Sequence, residues 1–412
     1  MQTDLGPVLN AAYPQVVATL VRVLGDMDRA TDAAQDALVK ALQKWASDGV
    51  PDNPVAWLVT VGRNGAIDQL RREQRTISID SNVVPLVEPQ GEAPDVEFND
   101  VDWHQVDDDL LRLLFTCCHP DLNTGAQMVL MLKVVLGFSV EEIARALLAS
   151  PASIEKRITR AKARLKETEA AYEVPQVNEM PARLTAVLQA IYLLFNEGYS
   201  RIQDEALARG SLTTTAIRLG RITSRLFRHD PQPRSLLALM LLTAARLPAR
   251  VNDQGMFVPM YEQDRGKWHQ GMIREGIALV DAVYAARHLP GAYQIQAAIS
   301  AIHSKAKSAD ETDWQQIVAL YEKLQEYDNS PVVPVNRSVA LCFTGEYAEA
   351  KRLLTDPELG RKLSTYQPYY AAQALLYERL GDDQRAREAL KQALALADST
   401  AQKRYLQARL EE

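Results

Sequence analysis

Apolar residues recur every three or four positions along most of the chain, which is the spacing of one face of an α-helix. A clear early example is a helix from about 28 to 45, whose apolar side comprises Ala30, Ala34, Ala37, Leu38, Ala41, Leu42 and Trp45. No segment shows the sustained alternation and β-branched enrichment of a strand. The pattern therefore predicts an all-α protein.

One acidic stretch interrupts the helical pattern. Between Thr76 and Asp109 there are ten acidic residues, Asp109 included, and no Lys or Arg, together with Pro85, Pro89 and Pro94. This composition is typical of an extended linker. It predicts a first domain over 1–75, a linker over 76–106, a second domain over 107–172 and a C-terminal region over 178–412.

The first domain combines an acidic patch with a polar, basic helix face. Asp32, Gln35 and Asp36 lie opposite the apolar side of the early helix. A second helix is predicted to start with Asn53 as N-cap and Pro54 at its first position. Its exposed face or its edge carries Arg63, Asn64, Asp68, Arg71, Arg72 and Arg75. Such side chains suit phosphates and exposed bases. Upstream, Trp57 either stacks on an unpaired base or belongs to the core.

The second domain has the pattern of a helix-turn-helix. Ser139 and Glu142 form a capping box that opens a short helix. Ser150 and Pro151 then begin a second helix, in which Lys156, Arg157, Arg160, Lys162, Arg164 and Lys166 are basic. With Ser153 and Glu155, these side chains predict a DNA-reading helix.

Composition adds limits to this picture. The 412 residues carry a net charge of −7. This value is an average over the acidic linker and the basic helix, so it does not exclude a protein that binds nucleic acid. Three cysteines exclude a disulfide scaffold. No signal peptide or membrane-spanning run is visible, so a cytoplasmic protein without membrane contact is expected.

The two motifs carry a family resemblance. The residues from Arg29 to Leu38 and from Asn53 to Arg72 resemble region 2 of bacterial RNA polymerase sigma factors, closest to the extracytoplasmic-function group. The residues from Gly137 to Leu165 resemble region 4 of that group. Asp36 and Leu38 stand where the group usually has Glu and an aromatic residue.

The resemblance implies roles for both domains. Asp32, Gln35 and Asp36 would contact core RNA polymerase. The face of the second helix, with Trp57 and Arg63, would lie against the −10 promoter element. The −35 element would be read by Ser153, Glu155, Lys156, Arg157, Arg160 and Lys162. No catalytic residue and no cofactor is implied.

The C-terminal region shows an internal repeat. Gly345 and Gly381, and likewise Ala350 and Ala386, are 36 residues apart, close to the tetratricopeptide period of about 34. The repeats are clearest over 313–397, and a sigma subgroup with such a helical extension resembles the whole chain. An earlier helix is predicted to end at Gly198.

Three short motifs remain open to two interpretations. Cys117, Cys118 and His119 suggest a metal site, but adjacent cysteines rarely share one ion, and a buried helix end is favoured. Polar residues near 196 and 261 form either a regulatory contact or hydrogen-bonded ties between helices. These residues are Asn196, Glu197, Tyr199, Tyr261, Asp264 and Arg265.

The sequence thus favours a non-enzymatic sigma factor that binds core polymerase and promoter DNA. Its C-terminal region would regulate or support it, with a contact to its own sigma domains as one possibility. The alternative is a helix-turn-helix regulator with a repeat scaffold that binds duplex DNA without polymerase. That alternative leaves the acidic patch and the Asn64 face without a role.

Overall fold

The computed structural model describes residues 5–80, 103–147, 149–167, 179–200, 206–287 and 289–411. The α-helices in these ranges are α1 (Gly6–Leu24), α2 (Met27–Asp48), α3 (Pro54–Asp80), α4 (Trp103–Cys117), α5 (Thr124–Leu130), α6 (Val140–Ala146), α7 (Pro151–Glu167), α8 (Met180–Ser200), α9 (Ala206–Leu226), α10 (Pro231–Ala244), α11 (Gln270–Ala285), α12 (Ala292–Lys305), α13 (Trp314–Leu324), α14 (Val332–Thr344), α15 (Tyr347–Leu354), α16 (Pro357–Lys362), α17 (Gln367–Arg379), α18 (Asp383–Ala395) and α19 (Thr400–Glu411). A π-helical segment, Met131–Val135, continues α5. Short 3-10 turns cover Leu247–Ala249, Met260–Glu262 and Arg265–Lys267.

The all-α prediction is confirmed. Within the described ranges, extended pairing is limited to one isolated antiparallel bridge between Val251 and Phe257. None of the helices described is long and apolar enough to cross a lipid bilayer. The chain divides into two compact units, residues 1–190 and 191–412.

The helix α1 is the centre of the first unit. Its side chains Val16, Val17, Ala18 and Leu20 have no exposed surface. It packs against α2 and α3, and also against α4 and the π-helical segment. The region-2-like and region-4-like parts of the sequence therefore belong to one packed unit.

Two helices extend into the segment predicted as a linker. α3 ends at Asp80 and α4 begins at Trp103, while residues 81–102 lie outside the described part. Asp109, the last residue of the acidic run and within the predicted second domain, lies on α4 with a fully buried side chain. Its partner is Arg22 on α1, which sequence spacing alone could not indicate.

The prediction that Gly198 ends a helix is also wrong. α8 continues to Ser200, and Gly198 is buried within it. A Cβ at this position would lie 2.8 Å from the backbone nitrogen of Thr213 and 2.9 Å from Cβ of Leu212. The glycine is therefore a site of close approach between α8 and α9, where any side chain would push the two helices apart.

The internal repeat corresponds to two helical hairpins, α14–α15 and α17–α18, whose paired helices pack together. Gly345 and Gly381 have φ of 83° and 69° and follow the first helix of each hairpin. Ala350 and Ala386 are 0% and 4% exposed on the second helices. Small side chains at these positions let the helices approach closely, which agrees with the predicted repeat.

Candidate nucleic-acid interface

Local capping and one close contact set the position of α3. The Asn53 side chain accepts a hydrogen bond from the Ala56 backbone N–H at 3.0 Å, which confirms the predicted N-cap. Val55 and Leu58 are buried on the inner side. A Cβ on Gly62 would lie 3.0 Å from the Ala33 carbonyl oxygen of α2. This tight approach fixes the rotation of α3 about its axis and so determines which residues face solvent.

The outer side of α3 presents the residues that the sequence assigns to the −10 element. Asn64, Asp68 and Arg71 are exposed, and Arg63 is half-buried. Arg71 lies 3.9 Å from the Asp68 carboxylate, with both side chains 66% exposed. The backbone positions of Arg72 and Arg75 belong to α3, but their side chains lie outside the described part.

Trp57 is part of an aromatic pair. Its ring meets that of buried Trp45 edge to face, with centroids 5.3 Å apart. Trp57 itself is half-buried. The packing contact with Trp45 agrees with the core interpretation of Trp57, while the remaining exposed surface keeps base stacking a prediction.

The exposed side of α2 combines acidic and apolar residues. Asp32 and Asp36 are exposed and Gln35 is half-buried. The sequence pattern placed Leu42 on the apolar side of this helix, and that placement is wrong, because Leu42 is 51% exposed. Nearby Val39 is 53% exposed. The buried side is already filled by the alanines of α2, so Leu42 turns to solvent. Sequence reasoning missed Val39, although it stands three residues after Asp36 on the same side of the helix.

The helix-turn-helix is built as predicted. The Ser139 N–H donates to the Glu142 carboxylate at 2.7 Å, and the Glu142 N–H donates to the Ser139 hydroxyl at 3.1 Å. The Ser150 hydroxyl accepts from the Ser153 N–H at 3.3 Å and caps α7. The inner side of α7 is formed by Ile154, Ile158, Ala161 and Leu165, all buried.

Loss of the capping box should weaken this domain. We expect Ser139→Ala to lower the free energy of unfolding of the first unit by about 1 kcal/mol, because an N–H of α6 loses its acceptor. Thermal melting followed by circular dichroism would measure the change. Ser47→Ala, at an exposed position on α2, is the control, and equal melting temperatures for the two variants would contradict the expected role of Ser139.

The basic residues of α7 lie on three different sides of the helix. Arg157, Arg160 and Arg164 line a hollow of about 550 Å³, whose opposite wall includes Asn123 and Gly125 at the start of α5. The outermost side carries exposed Lys156, with exposed Thr159 and Ala163 as neighbours. On the remaining side, beyond exposed Glu155, Lys162 pairs with Asp28 of α2. Ser153 is half-buried, on the side of the arginines.

In the C-terminal unit, Arg265 ties distant backbone segments together. Its Nη1 donates to the carbonyl oxygens of His303 at 2.7 Å and Ala306 at 3.0 Å, and its Nη2 donates to the Thr312 hydroxyl at 2.9 Å. Burial, together with the charges of Arg246 and Arg265, lowers the pKa of His303 to about 3. The imidazole is therefore neutral throughout the physiological range.

The other residues of the polar motifs near 196 and 261 also lie within the C-terminal unit. The Tyr261 ring packs on Phe343 with centroids 5.3 Å apart, and the Asp264 carboxylate accepts from the Gly266 N–H at 2.9 Å. Tyr199 stacks on Phe195 at 5.7 Å. The guanidinium of Arg250 lies 4.0 Å above the Tyr199 ring. Asn196 and Glu197 are half-buried on the same helix as Tyr199.

The Cys-Cys-His motif sits at the buried end of α4. Cys117 and Cys118 are buried thiols, and burial raises the pKa of Cys117 to about 12. Nδ1 of His119 accepts from the Asp121 N–H at 3.3 Å. Among the residues that the structure describes, no group of three His, Cys, Asp or Glu side chains is placed to hold a metal ion.

Comparisons with known proteins match three parts of the chain to families. Residues 8–76 match Sigma-70 region 2, residues 112–165 match Sigma-70 region 4, and residues 183–284 match a family of unknown function (DUF6596). A protein of Rhizobium meliloti (strain 1021), described as uncharacterized protein R00370, is 39% identical over 99% of this chain and 96% of its own length. The ECF RNA polymerase sigma factor EcfG of Rhodopseudomonas palustris (strain TIE-1) is 27% identical over 38% of this chain and 79% of its own length. No solved structure gives a significant match.

Proposed function

Because the chain belongs to the extracytoplasmic-function type of RNA polymerase sigma factors and carries a C-terminal helical extension, we propose that it directs core RNA polymerase to a specific set of promoters. The observation that carries the proposal is the presence, in the family's order, of two helices with exposed polar and basic sides, α3 and α7. A regulator that only binds duplex operators has no need for the polar side of α3.

The exposed side of α2 is the proposed polymerase contact. Asp32, Gln35 and Asp36 supply charge and hydrogen-bond acceptors, and Val39 and Leu42, 53% and 51% exposed, add apolar area beside them. Apolar groups surrounded by charges are typical of a protein interface. The polymerase surface opposite should therefore be basic with an apolar centre.

The exposed side of α3 is the proposed −10 contact. Arg71, with Arg72 and Arg75 further along the helix, supplies positive charge for the phosphates of a melted strand. Asn64 offers an amide that can bond to the edges of unpaired bases. Trp57 and Arg63 lie at the near end of this surface.

The sides of α7 suggest separate tasks at the −35 element. Arg157 and Arg160 line the hollow beside α5, where a DNA backbone phosphate would meet several guanidinium groups. Lys156, on the outermost side, is the group best placed for base edges in the major groove. The arginines would thus supply affinity and Lys156 would supply sequence preference, with Ser153 and Glu155 nearby.

The extension is proposed to control or support promoter use. The polar motif around Tyr199 and Arg265 braces its helices, so its contribution to control would come through the shape of the C-terminal unit. A contact between this unit and the sigma domains belongs to the proposal.

Run-off transcription with purified core polymerase tests the function. We expect the full chain to start transcription from promoters that core alone does not use. Asp32→Ala with Asp36→Ala should reduce co-purification with core roughly tenfold, as for central interface residues. Asp48→Ala, at an exposed position on the same helix, is the control for the loss of a surface carboxylate. Duplex binding without polymerase recruitment would instead support the helix-turn-helix regulator.

A further inference from the structure

Residues 251–263 form a loop in the C-terminal unit that lies against the helical repeats. The loop runs between the 3-10 turn that ends at Ala249 and the 3-10 turn that begins at Arg265. An antiparallel bridge between Val251 and Phe257 closes its first half. The loop therefore has a folded conformation of its own, and we call it the internal segment.

The surface beside the internal segment is built from the first helices of the two repeat hairpins and from α19. α14 packs against α17, and Arg409 of α19 donates to the Glu378 carboxylate of α17 at 2.7 Å. Phe343 on α14 and Arg379 on α17 are 36 residues apart, the same interval as the two repeat glycines. The Arg379 guanidinium lies 5.3 Å from the centre of the Phe343 ring. Equivalent positions of successive repeats thus share one surface, which we call the repeat face and define by Phe343, Arg379, Tyr405 and Arg409.

The first half of the internal segment contacts α19 through its backbone and one ring. The Phe257 N–H donates to the carbonyl oxygen of Ala401 at 3.1 Å. The Phe257 ring meets that of Tyr405 edge to face, with centroids 5.9 Å apart. Nη1 of Arg404 donates to the carbonyl oxygen of Gln254 at 3.5 Å. Main-chain hydrogen bonds combined with a side-chain contact are how many proteins hold a bound peptide.

The second half of the internal segment contacts the repeat face through two adjacent side chains. The Tyr261 ring packs on that of Phe343, with centroids 5.3 Å apart. The next residue, Glu262, places its carboxylate 3.9 Å from Nη1 of Arg409. The repeat face therefore recognises an aromatic ring and a carboxylate that are neighbours in sequence.

These contacts are weak, whereas the two ends of the internal segment are firmly held. Of residues 252–264, only Pro259 is buried. The Glu262 side chain is 44% exposed, and ion pairs at such positions contribute little to stability. By contrast, Ala249 is 4% exposed, and Arg265 is 8% exposed with three hydrogen bonds. The internal segment can therefore leave the repeat face while its ends stay in place.

We propose that the internal segment is an exchangeable ligand of the repeat face. In its place the face accepts a peptide segment of a partner protein in which an aromatic residue is followed directly by a carboxylate. The two rings of the face receive the aromatic side chain, and its two guanidinium groups attract the carboxylate. Because the internal segment is tethered, its local concentration is high, so an effective partner must add contacts of its own. The proposal needs neither polymerase nor promoter DNA and is tested independently of the function proposed above.

Peptide binding to the full-length chain tests the exchange. The probe is a synthetic peptide of residues 254–264 with a fluorophore at its N-terminus, and fluorescence anisotropy measures its affinity. Tyr261→Ala with Glu262→Gln removes the ring and the carboxylate of the internal segment from the repeat face. We expect this double variant to bind the probe roughly tenfold more tightly than the unaltered chain, because the tethered competitor is weakened.

A second double variant, Glu326→Gln with Tyr327→Ala, is the matched control. It removes an exposed carboxylate and a 43% exposed aromatic ring elsewhere in the same unit. Its affinity for the probe should equal that of the unaltered chain. A probe that itself carries Tyr261→Ala and Glu262→Gln should bind the first double variant roughly tenfold more weakly than the original probe does.

Three results of these binding experiments would overturn the proposal. The first is equal affinity of the probe for the unaltered chain and for the first double variant, or no binding to either. The second is equal affinity of the two probes for that variant. The third is a dimer of the unaltered chain that dissociates when the probe is added, because the occupant of the repeat face would then be a second copy of the chain.

Hydrogen exchange on the unaltered chain tests the exchange without any substitution. In the free chain the Phe257 N–H is bonded to the Ala401 carbonyl oxygen. Saturating probe should displace the internal segment and speed exchange in the fragment that contains Phe257 roughly fivefold, while exchange in α18 stays constant. Probe that binds without changing this exchange occupies another site, and the internal segment is then a fixed part of the fold.

Discussion

An Arg265→Met variant is expected to lose about 3 kcal/mol or more of the free energy of unfolding of the C-terminal unit. Arg265 is 8% exposed and donates to two backbone carbonyls and one hydroxyl. Methionine occupies much of the same volume but donates none of these bonds. The acceptors at His303, Ala306 and Thr312 would stay in place without their shared donor, which costs more than losing a pair of exposed groups.

Urea unfolding followed by tryptophan fluorescence would measure this loss. Trp268 and Trp314 are buried in the affected unit, whereas Trp45 and Trp57 belong to the first. Arg385→Met is the matched control, because the Arg385 side chain is 55% exposed and its pair with Asp382 lies at the surface. A midpoint for Arg265→Met equal to that of the control would show that the buried guanidinium does not stabilise the unit.

A double variant, Arg157→Gln with Arg160→Gln, is expected to weaken promoter binding roughly 10- to 100-fold and to reduce the salt dependence of binding by about two phosphate contacts. Both guanidinium groups line the hollow between α5 and α7. Glutamine keeps hydrogen-bonding capacity but removes the charge, so counterion release is lost while the helix remains intact.

Affinity for promoter DNA as a function of salt concentration, with the polymerase–sigma complex, would measure this effect. A double variant, Lys391→Gln with Lys403→Gln, at exposed positions on α18 and α19, is the charge-matched control. The loss should be the same for a preferred −35 sequence and for one with a single altered base pair. A loss confined to the preferred sequence would mean that these arginines read bases and would contradict the division of tasks on α7.

The features that sequence reasoning predicted well are local ones. The N-caps Asn53, Ser139 and Ser150 depend on donors within three residues, so their identity and spacing are enough. The buried side of α7 follows from helical periodicity in the same way. The repeat hairpins were visible because Gly345 and Gly381 mark helix ends with a left-handed conformation that glycine favours.

The features that sequence reasoning missed depend on distant partners. Asp109 resembles its acidic neighbours in sequence, yet its partner Arg22 is 87 residues away. In sequence, Gly198 resembles a residue that ends a helix, because glycine occurs both at helix ends and where two helices pack closely. Only the position of α9 shows that Gly198 has the second role. The motif around Arg265 was recognised, but its acceptors lie 38 to 47 residues further along the chain.

The same contrast holds for the candidate interface. Charge and helical period predicted which residues of α3 and α7 carry polar groups. They could not predict on which side of α7, relative to α5 and α2, each basic side chain lies, because that depends on how the helices pack. Leu42 is the simplest example of a position that periodicity did not predict. Alanines form most of the buried side of α2, and the larger Leu42 is exposed.

The three buried cysteines can report when either unit opens, because a buried thiol must become exposed before a reagent can reach it. Burial raises the pKa of Cys117 to about 12 and that of Cys342 to about 11. At neutral pH these thiols are protonated, and alkylating reagents act on thiolates. Labelling at Cys117 or Cys118 therefore indicates that the first unit has opened. Labelling at Cys342 indicates that the second unit has opened. The opening of each unit can therefore be followed separately in one intact molecule, through its native cysteines and without an introduced labelling site.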